Sequence, residues 1–474
     1  MRTIDLRGQQ LSRADLLRLV PRAALDIGTA VERVRPLVDA VRDRGEAALR
    51  EQARDFDGVE GHALRVPAER ITASLDTCPP EIRTALELLI EKLRLGSAAQ
   101  VPPEQITRFG DGAVIRQRWQ PVGRVGLYAP GGKAAYPSSV IMNAVAAQAA
   151  GVPELALASP AQPDNDGLPH EVVLWAAALA GVDEVYAIGG AGAVAAFAHG
   201  VESIGLAPVD KITGPGNIFV AAAKRVVNGL VGIDSEAGTT EILVIADATA
   251  DPRFVAADLI SQAEHDEAAA SVLVTDSAEF AERVLEEIGI RSAATRHAER
   301  VATALGGPQS AVILVDDLET AARVSNAYGP EHLEIQTADD EAVLEGIADA
   351  GAIFMGGYTP VSLGDYLAGS NHVLPTGGTA RFASGLGAHT FLRPQQVVGY
   401  DRSALAEVER PLLALAGAEG LPAHGEAVSA RFEGDRSGTG GARSETGDPG
   451  SADGNPENTA GDPENTAETS GGDA

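Results

Sequence analysis

The chain has 474 residues, 45% hydrophobic and 22% charged, with one cysteine, Cys78, and a formal net charge of −30 from 67 acids against 37 bases. That length points to two or three compact units rather than a single small binding module, and a lone cysteine excludes an internal disulfide framework and suits a reducing cytoplasm. The acid excess repels phosphate backbones and anionic lipid, so neither nucleic acid nor membrane is an expected partner, and no export signal or membrane span is expected.

Residues 1–122 read as an N-terminal helical part: Arg33, Leu37, Val41 and Leu49 follow an Arg/Glu-rich periodic pattern, and apolar residues recur at helical spacing through 81–95. This part is expected to join the second of two α/β units. The first unit, 123–235, alternates β-rich runs at 122–128, 154–158 and 184–188 with Ala-rich helices near 138–150, 171–180 and 193–198. The second, 236–381, repeats the alternation with strands at 241–245, 271–275, 311–315 and 351–355 and helices at 252–267 and 278–288. Alternation of this kind predicts parallel βαβ units. The expected fold class is α/β: two Rossmann-like parallel-sheet units with N-terminal helices, then a small C-terminal helical segment at 382–431. From Phe432 the composition shifts to Gly, Ser, Thr, Asp, Glu, Pro and Asn, with the imperfect repeat Asn455-Pro-Glu-Asn-Thr-Ala460 and Asp462-Pro-Glu-Asn-Thr-Ala467. Residues 432–474 therefore read as a disordered acidic tail; its ten acids and two arginines leave −22 of the −30 on the rest of the chain.

Three Gly-rich loops stand where strands and helices meet. Gly189-Gly-Ala-Gly192 is placed to set a phosphate on a helix N-terminus, yet it lacks the full G-x-G-x-x-G spacing and an ordinary βα turn explains it equally. Tyr128-Ala-Pro-Gly-Gly-Lys133 follows a strand and Thr213-Gly-Pro-Gly-Asn217 precedes a helix; flanking one α/β unit, they favour a nucleotide cleft. Four groupings of histidine with an acid or amide follow. Asp251 as N-cap and Pro252 at the first position open a helix on which Gln262 and His265 are spaced i, i+3, so one metal could take both, although a capping or surface histidine fits that spacing too. Adjacent Glu331 and His332, in Gly329-Pro-Glu-His-Leu-Glu334, join a carboxylate and an imidazole suited to proton abstraction. Asp365 and His372 share a further Gly-rich stretch, and Glu419 and His424 stand at a helix end in the last ordered segment.

In this order the motifs resemble the histidinol dehydrogenase family across about 1–433, through Tyr136-Pro-Ser-Ser, Ile212-Thr-Gly-Pro-Gly-Asn217, Leu259-Ile-Ser-Gln-Ala-Glu-His265, Gly329-Pro-Glu-His332, Gly364-Asp-Tyr, Gly369-Ser-Asn-His-Val-Leu-Pro-Thr376 and Ala418-Glu-Gly-Leu-Pro-Ala-His424. The resemblance implies oxidation of L-histidinol to L-histidine through bound L-histidinaldehyde with two NAD, the last steps of histidine biosynthesis. It implies Zn2+ on Gln262, His265, Asp365 and His424, and Glu331 with His332 as the catalytic acid/base pair. Substrate contacts would come from Thr240, Gln262, His265, His332, Asp365, His372, Glu419 and His424, and NAD contacts from Tyr128, Gly192 and Asn217. At 192 a glycine replaces the family's glutamine, and the family's Gly-Pro-Ser-Glu reads Gly238-Thr-Thr-Glu241. A homodimer with exchanged C-terminal segments and shared active sites is also implied. Another NAD-dependent alcohol or aldehyde dehydrogenase, a zinc hydrolase using Glu331 as base, or an acidic interaction protein built around the tail would each need only part of this set.

Overall fold

The computed structural model describes residues 1–23, 27–131, 135–236 and 238–436, so the expected acidic tail lies, beyond 436, outside the described residues. Two units are distinguished: Met1–Thr107 with Ile115–Val397, and Arg108–Val114 with the chain from Val398 onward. Strands β1 (Arg2–Asp5), β2 (Gln105–Gly110), β3 (Ala113–Pro121), β4 (Arg124–Tyr128), β5 (Glu154–Ser159), β6 (Val185–Ala187), β7 (Lys211–Thr213) and β8 (Gly232–Ile233) precede residue 240. After it come β9 (Glu241–Ala246), β10 (Ala270–Thr275), β11 (Ala311–Leu314), β12 (His332–Gln336), β13 (Ala352–Met355) and β14 (Leu392–Tyr400).

Five strands form a parallel sheet in the order β6-β5-β4-β7-β8, and six form another in the order β1-β11-β10-β9-β12-β13, again parallel throughout. Numbered within its own series, each sheet has the order 3-2-1-4-5, with β1 added at the outer edge of the second. The two Rossmann-like parallel sheets read from the sequence are thus present. All six positions of β9 and of β10 are buried, as strands covered by helices on both faces require. A third, three-stranded sheet has the order β14-β3-β2.

The N-terminal part departs from expectation. Only β1 and the Arg13–Leu19 helix join the second sheet, β1 pairing with β11 and the helix packing on Leu318–Tyr328. The longer helices cover the first sheet instead. Ile27–Arg44 turns Val34, Val38 and Val41 into a core with Phe197 and Val220, and Pro80–Ala99 turns Leu86, Leu89, Ile90 and Leu93 into one with Val140 and Ile141. Their apolar stripes, not their place in the chain, decide where they dock. At the other end, Leu386, Ala388 and Phe391 are buried in the first sheet's core, so the second unit begins at Val398 rather than at 382.

That second unit holds the helices Arg402–Ala418 and Pro422–Ser429. Asp401 caps the former by accepting the Ala404 N–H, while its own N–H donates to Gly112 O at 2.8 Å. Arg402 lies over the buried ring of Phe432, 5.1 Å from its centroid. Among the described residues, no helix is long and apolar enough to cross a membrane.

Candidate active site

In the first sheet the strand order reverses between β4 and β7, the switch point where open α/β sheets take ligands at their carboxyl ends. The loops leaving those ends are the two Gly-Pro loops of the sequence, although Gly132 and Lys133 of the first lie outside the described residues. They touch at Gly214, whose φ is +121°; a Cβ there would fall 2.0 Å from Tyr128 O, so only glycine fits. Lys224, one of four lysines in the chain, is buried beneath this loop. Its Nζ donates to Asp234 Oδ1 at 2.6 Å and to Gly214 O at 2.5 Å, while the Gly214 N–H donates to Asp234 Oδ2 at 2.8 Å. Asn217 is the N-cap of Ile218–Val227: its Oδ1 accepts the Phe219 and Val220 N–H groups, which leaves its NH2 group for a ligand. Tyr128 is buried, and its hydroxyl accepts the Gly190 N–H at 3.1 Å; burial pushes its pKa up to about 12.

Gly192 is not in a turn. The helix runs Gly190–His199, and a Cβ at 192 would lie 2.7 Å from Gln52 Oε1 and 3.2 Å from Leu49 Cδ2 of the Glu46–Gln52 helix. Its absent side chain therefore permits helix contact.

In the second sheet the candidate catalytic residues lie at the opposite end, where β9 and β12 begin. Their register sets His332 beside Ile242, so Thr240, Glu241, Glu331 and His332 converge at the amino edge. The His332 Nδ1 lies 2.9 Å from Glu241 O, and because a carbonyl can only accept, Nδ1 carries the proton. Nε2 is then the basic nitrogen of the neutral ring; it is buried and has no partner among the described residues. Glu331 Oε2 lies 3.5 Å from His332 Nδ1 and accepts the Thr240 hydroxyl at 2.7 Å and the Glu241 N–H at 2.8 Å. Burial raises the Glu331 pKa; His332, the Thr240 hydroxyl and the Glu241 N–H oppose the rise without cancelling it.

Asn217, Thr240, His265, Glu331, His332 and Asp365 line one cavity of about 300 Å³, to which Ser139 and His372 also contribute. The Pro252–Ala263 helix ends earlier than its sequence suggests: the His265 N–H donates to Gln262 O at 3.2 Å, an i−3 bond in place of the i−4 bond that would extend the helix, so His265 lies in the turn beyond it. Gln262 is buried and reaches the cavity through Thr240, to whose Oγ1 its Nε2 donates at 2.6 Å. His372 spans Ser139 Oγ at 3.0 Å and Asp365 O at 3.1 Å, and burial pushes its pKa down. Glu419 and His424 are exposed residues of the second unit, at the end of Arg402–Ala418 and within Pro422–Ser429. Among the described residues, no group of three or more His, Cys, Asp or Glu is placed to hold a metal ion. Sequence reasoning missed Ser139, although it stands in the quoted Tyr136-Pro-Ser-Ser motif; Lys224 and Asp234 carry no pattern that would have marked them.

Known proteins resemble the chain in sequence and in fold. The family described as Histidinol dehydrogenase matches residues 20–432. Histidinol dehydrogenase of Leifsonia xyli subsp. xyli is 65% identical over 433 residues, covering 91% of this chain and 99% of that protein. That of Bifidobacterium longum is 56% identical, covering 92% and 94%. The crystal structure of histidinol dehydrogenase from Elizabethkingia anophelis superposes with a TM-score of 0.85 at 31% identity, covering 92% of this chain and 99% of that one. With the fold, the ordered motifs and these relatives in accord, the chain belongs to the histidinol dehydrogenase family.

Proposed function

We propose that the chain oxidises L-histidinol to L-histidine through bound L-histidinaldehyde, using two NAD and Zn2+, as the last steps of histidine biosynthesis in the cytoplasm. The observation that carries this reading is the buried Nε2 of His332, without a partner among the described residues and fixed as the basic nitrogen by the Nδ1 contact with Glu241 O. An imidazole so held accepts the proton of a substrate hydroxyl as the alcohol is oxidised, and later that of the aldehyde hydrate. Glu331, held through one oxygen by Thr240 and Glu241, is the base that activates water for attack on the aldehyde. A buried carboxylate with a raised proton affinity suits that role at neutral pH.

The residues present fit both implied groups. Gln262, His265 and Asp365 offer amide oxygen, imidazole and carboxylate without thiolate, the donor set of a site that holds substrate rather than a closed structural one. Because Gln262 spends its N–H on Thr240, its amide oxygen is the end left for a cation. The metal would supply a fixed Lewis-acid anchor for the substrate's imidazole and amine. NAD would supply the hydride acceptor for each oxidation, held by the NH2 group of Asn217 and the loops joined at Tyr128 and Gly214. His424 as fourth ligand and Glu419 as substrate contact would come from a partner subunit in a homodimer, with His372 against the substrate.

The test is NADH formation by purified protein given L-histidinol, NAD and Zn2+, with and without chelator. His332→Gln is expected to lower the rate by about 10²–10⁴-fold while the protein stays folded. No NADH from the wild type would reject the reading, and a near-normal rate in the variant would remove His332 from its role.

A further inference from the structure

We propose that Glu334 is a positioning residue for the metal site: its buried carboxyl ties the helix that bears Gln262 and the helix that bears Asp365 to the strand that bears His332. This deepens the zinc-dependent reading above and rests on it.

All five positions of β12 are buried, and its two faces differ in kind. Leu333 and Ile335 enter an apolar core with Leu243 and Ile245. His332, Glu334 and Gln336 alternate with them and so share the other face. The proposed mechanism uses only His332 of these three. That leaves a buried acid and a buried amide where a strand covered by helices normally carries apolar residues.

Glu334 is joined to two helices. Its carboxyl hydrogen-bonds to that of Asp258 in the Pro252–Ala263 helix, and the Gln336 Nε2 donates to both, to Glu334 Oε2 at 3.0 Å and to Asp258 Oδ2 at 3.3 Å. Asp258 and Gln262 lie one turn apart on the same face of that helix. The other oxygen of Glu334, Oε1, accepts the Val361 N–H at 2.9 Å, at the first position of the Val361–Tyr366 helix. Pro360, the N-cap, gives that helix no side-chain acceptor, so Glu334 supplies it. Asp365 stands one turn further on. The short helix lies close on Phe354, the residue opposite Glu334 on β13: a Cβ on Gly364 would fall 2.5 Å from Phe354 Cε1, and the Phe354 ring centroid is 6.1 Å from that of His332.

Two carboxyls bond to each other only when one of them is protonated. Burial pushes the pKa of Glu334 well up and that of Asp258 to about 6, and neither is paired with a cation among the described residues. At neutral pH the proton therefore stays on Glu334, which donates to Asp258 and accepts from Val361. Gln262 and Asp365 come from separate elements, so a cation that needs both binds best where their spacing is set before it arrives. The Glu334 carboxyl sets it from the same strand face that presents His332. A neutral acid that gives one bond and takes another is reproduced by glutamine and not by leucine.

The experiment treats the full chain with chelator, removes the chelator, and titrates Zn2+ by calorimetry into the wild type, Glu334→Leu, Glu334→Gln and Val255→Ala. Leucine keeps the bulk but neither bond, and zinc affinity should fall by roughly 10–100-fold. Glutamine accepts from Val361 and donates to Asp258, and the Gln336 amide can turn so that its Oε1, without a partner among the described residues, takes the second N–H; its zinc affinity should stay near that of the wild type. Val255, buried in the same helix as Asp258, controls for general loosening: Val255→Ala should lower the melting temperature without moving zinc affinity. Unchanged affinity in Glu334→Leu, or a loss shared equally by Glu334→Gln or Val255→Ala, overturns the role of Glu334 and leaves the zinc reading standing; no zinc binding by the wild type overturns both. Should Glu334→Leu fail to fold, Asp258→Ala, at the partly exposed end of the pair, is titrated in its place, and unchanged affinity there overturns the assignment.

Discussion

The two groups of the proposed acid/base pair share one stretch of backbone but meet different environments. Glu241 serves both: its carbonyl faces the His332 ring and its N–H faces the Glu331 carboxylate. Glu331 is buried and its pKa is raised; in the proposed role it would place a pH limb on the aldehyde step alone. As pH rises through that raised value the carboxylate forms and the water it activates becomes reactive, so oxidation of added L-histidinaldehyde should climb with pH. The midpoint should lie above the ordinary glutamate value of about 4.3. Glu331→Gln should flatten this limb and slow the aldehyde step while sparing the alcohol step more. A limb of unchanged position in the variant would assign it to another group. The sequence displayed Glu331 and His332 as a pair of suitable types, but not which nitrogen of His332 is free. That depends on a carbonyl some ninety positions away, brought alongside by the register of β12 on β9.

Strands and helices were readable where their pattern ran long enough. The Glu171–Ala180 helix, with its C-cap Gly181, and the fully buried β9 and β10 announce themselves, whereas Lys211–Thr213 and Gly232–Ile233 are too short to show a period. β1 is hidden for another reason: its partner among the described residues, β11, comes late in the chain, so nothing local marks it as a strand. Gly192 shows how an element can change a residue's meaning. Read as part of a turn, it is a lost cofactor contact; inside a helix, it is the point where two helices come close. Gln52 occupies the space a side chain would enter, with its Nε2 bonded to Leu37 O at 3.1 Å. Gly192→Ala gains about 1 kcal/mol of helix propensity but meets an overpacking cost of about 1–3 kcal/mol, so a net loss is expected. Gln52→Ala should relieve that cost, and a double-mutant cycle in urea should return a favourable coupling between the two changes. Additive effects would show that the helices do not press on each other at 192. Gly192→Gln meets the same obstacle and is not expected to tighten NAD binding by itself.

At the scale of the molecule, the proposed site draws on residues of both units of the chain. The first unit carries the proposed base, the proposed water-activating carboxylate and three of the four proposed metal ligands, while Glu419 and His424 belong to the second. Both are exposed, and neither side chain has a hydrogen bond or ion pair described, as expected of residues that would complete a neighbour's site. The C-terminal helices carry exposed Leu413, Leu415 and Leu421, apolar surface that a second subunit could cover. If the segment is exchanged, metal, dimer and activity are linked, because each subunit is finished only by the other. The measurement that decides this mixes inactive His332→Ala subunits with inactive His424→Ala subunits under conditions that exchange chains. A heterodimer then holds one intact site, combining His332 of one chain with His424 of the other, and one doubly defective site. Random mixing makes half the dimers hybrid, so activity should recover to about a quarter of the wild-type value per chain. Sites completed within one chain predict no recovery at any mixing ratio, which would reject the exchange while leaving the zinc assignment of Gln262, His265 and Asp365 to be tested by metal titration of the single variants.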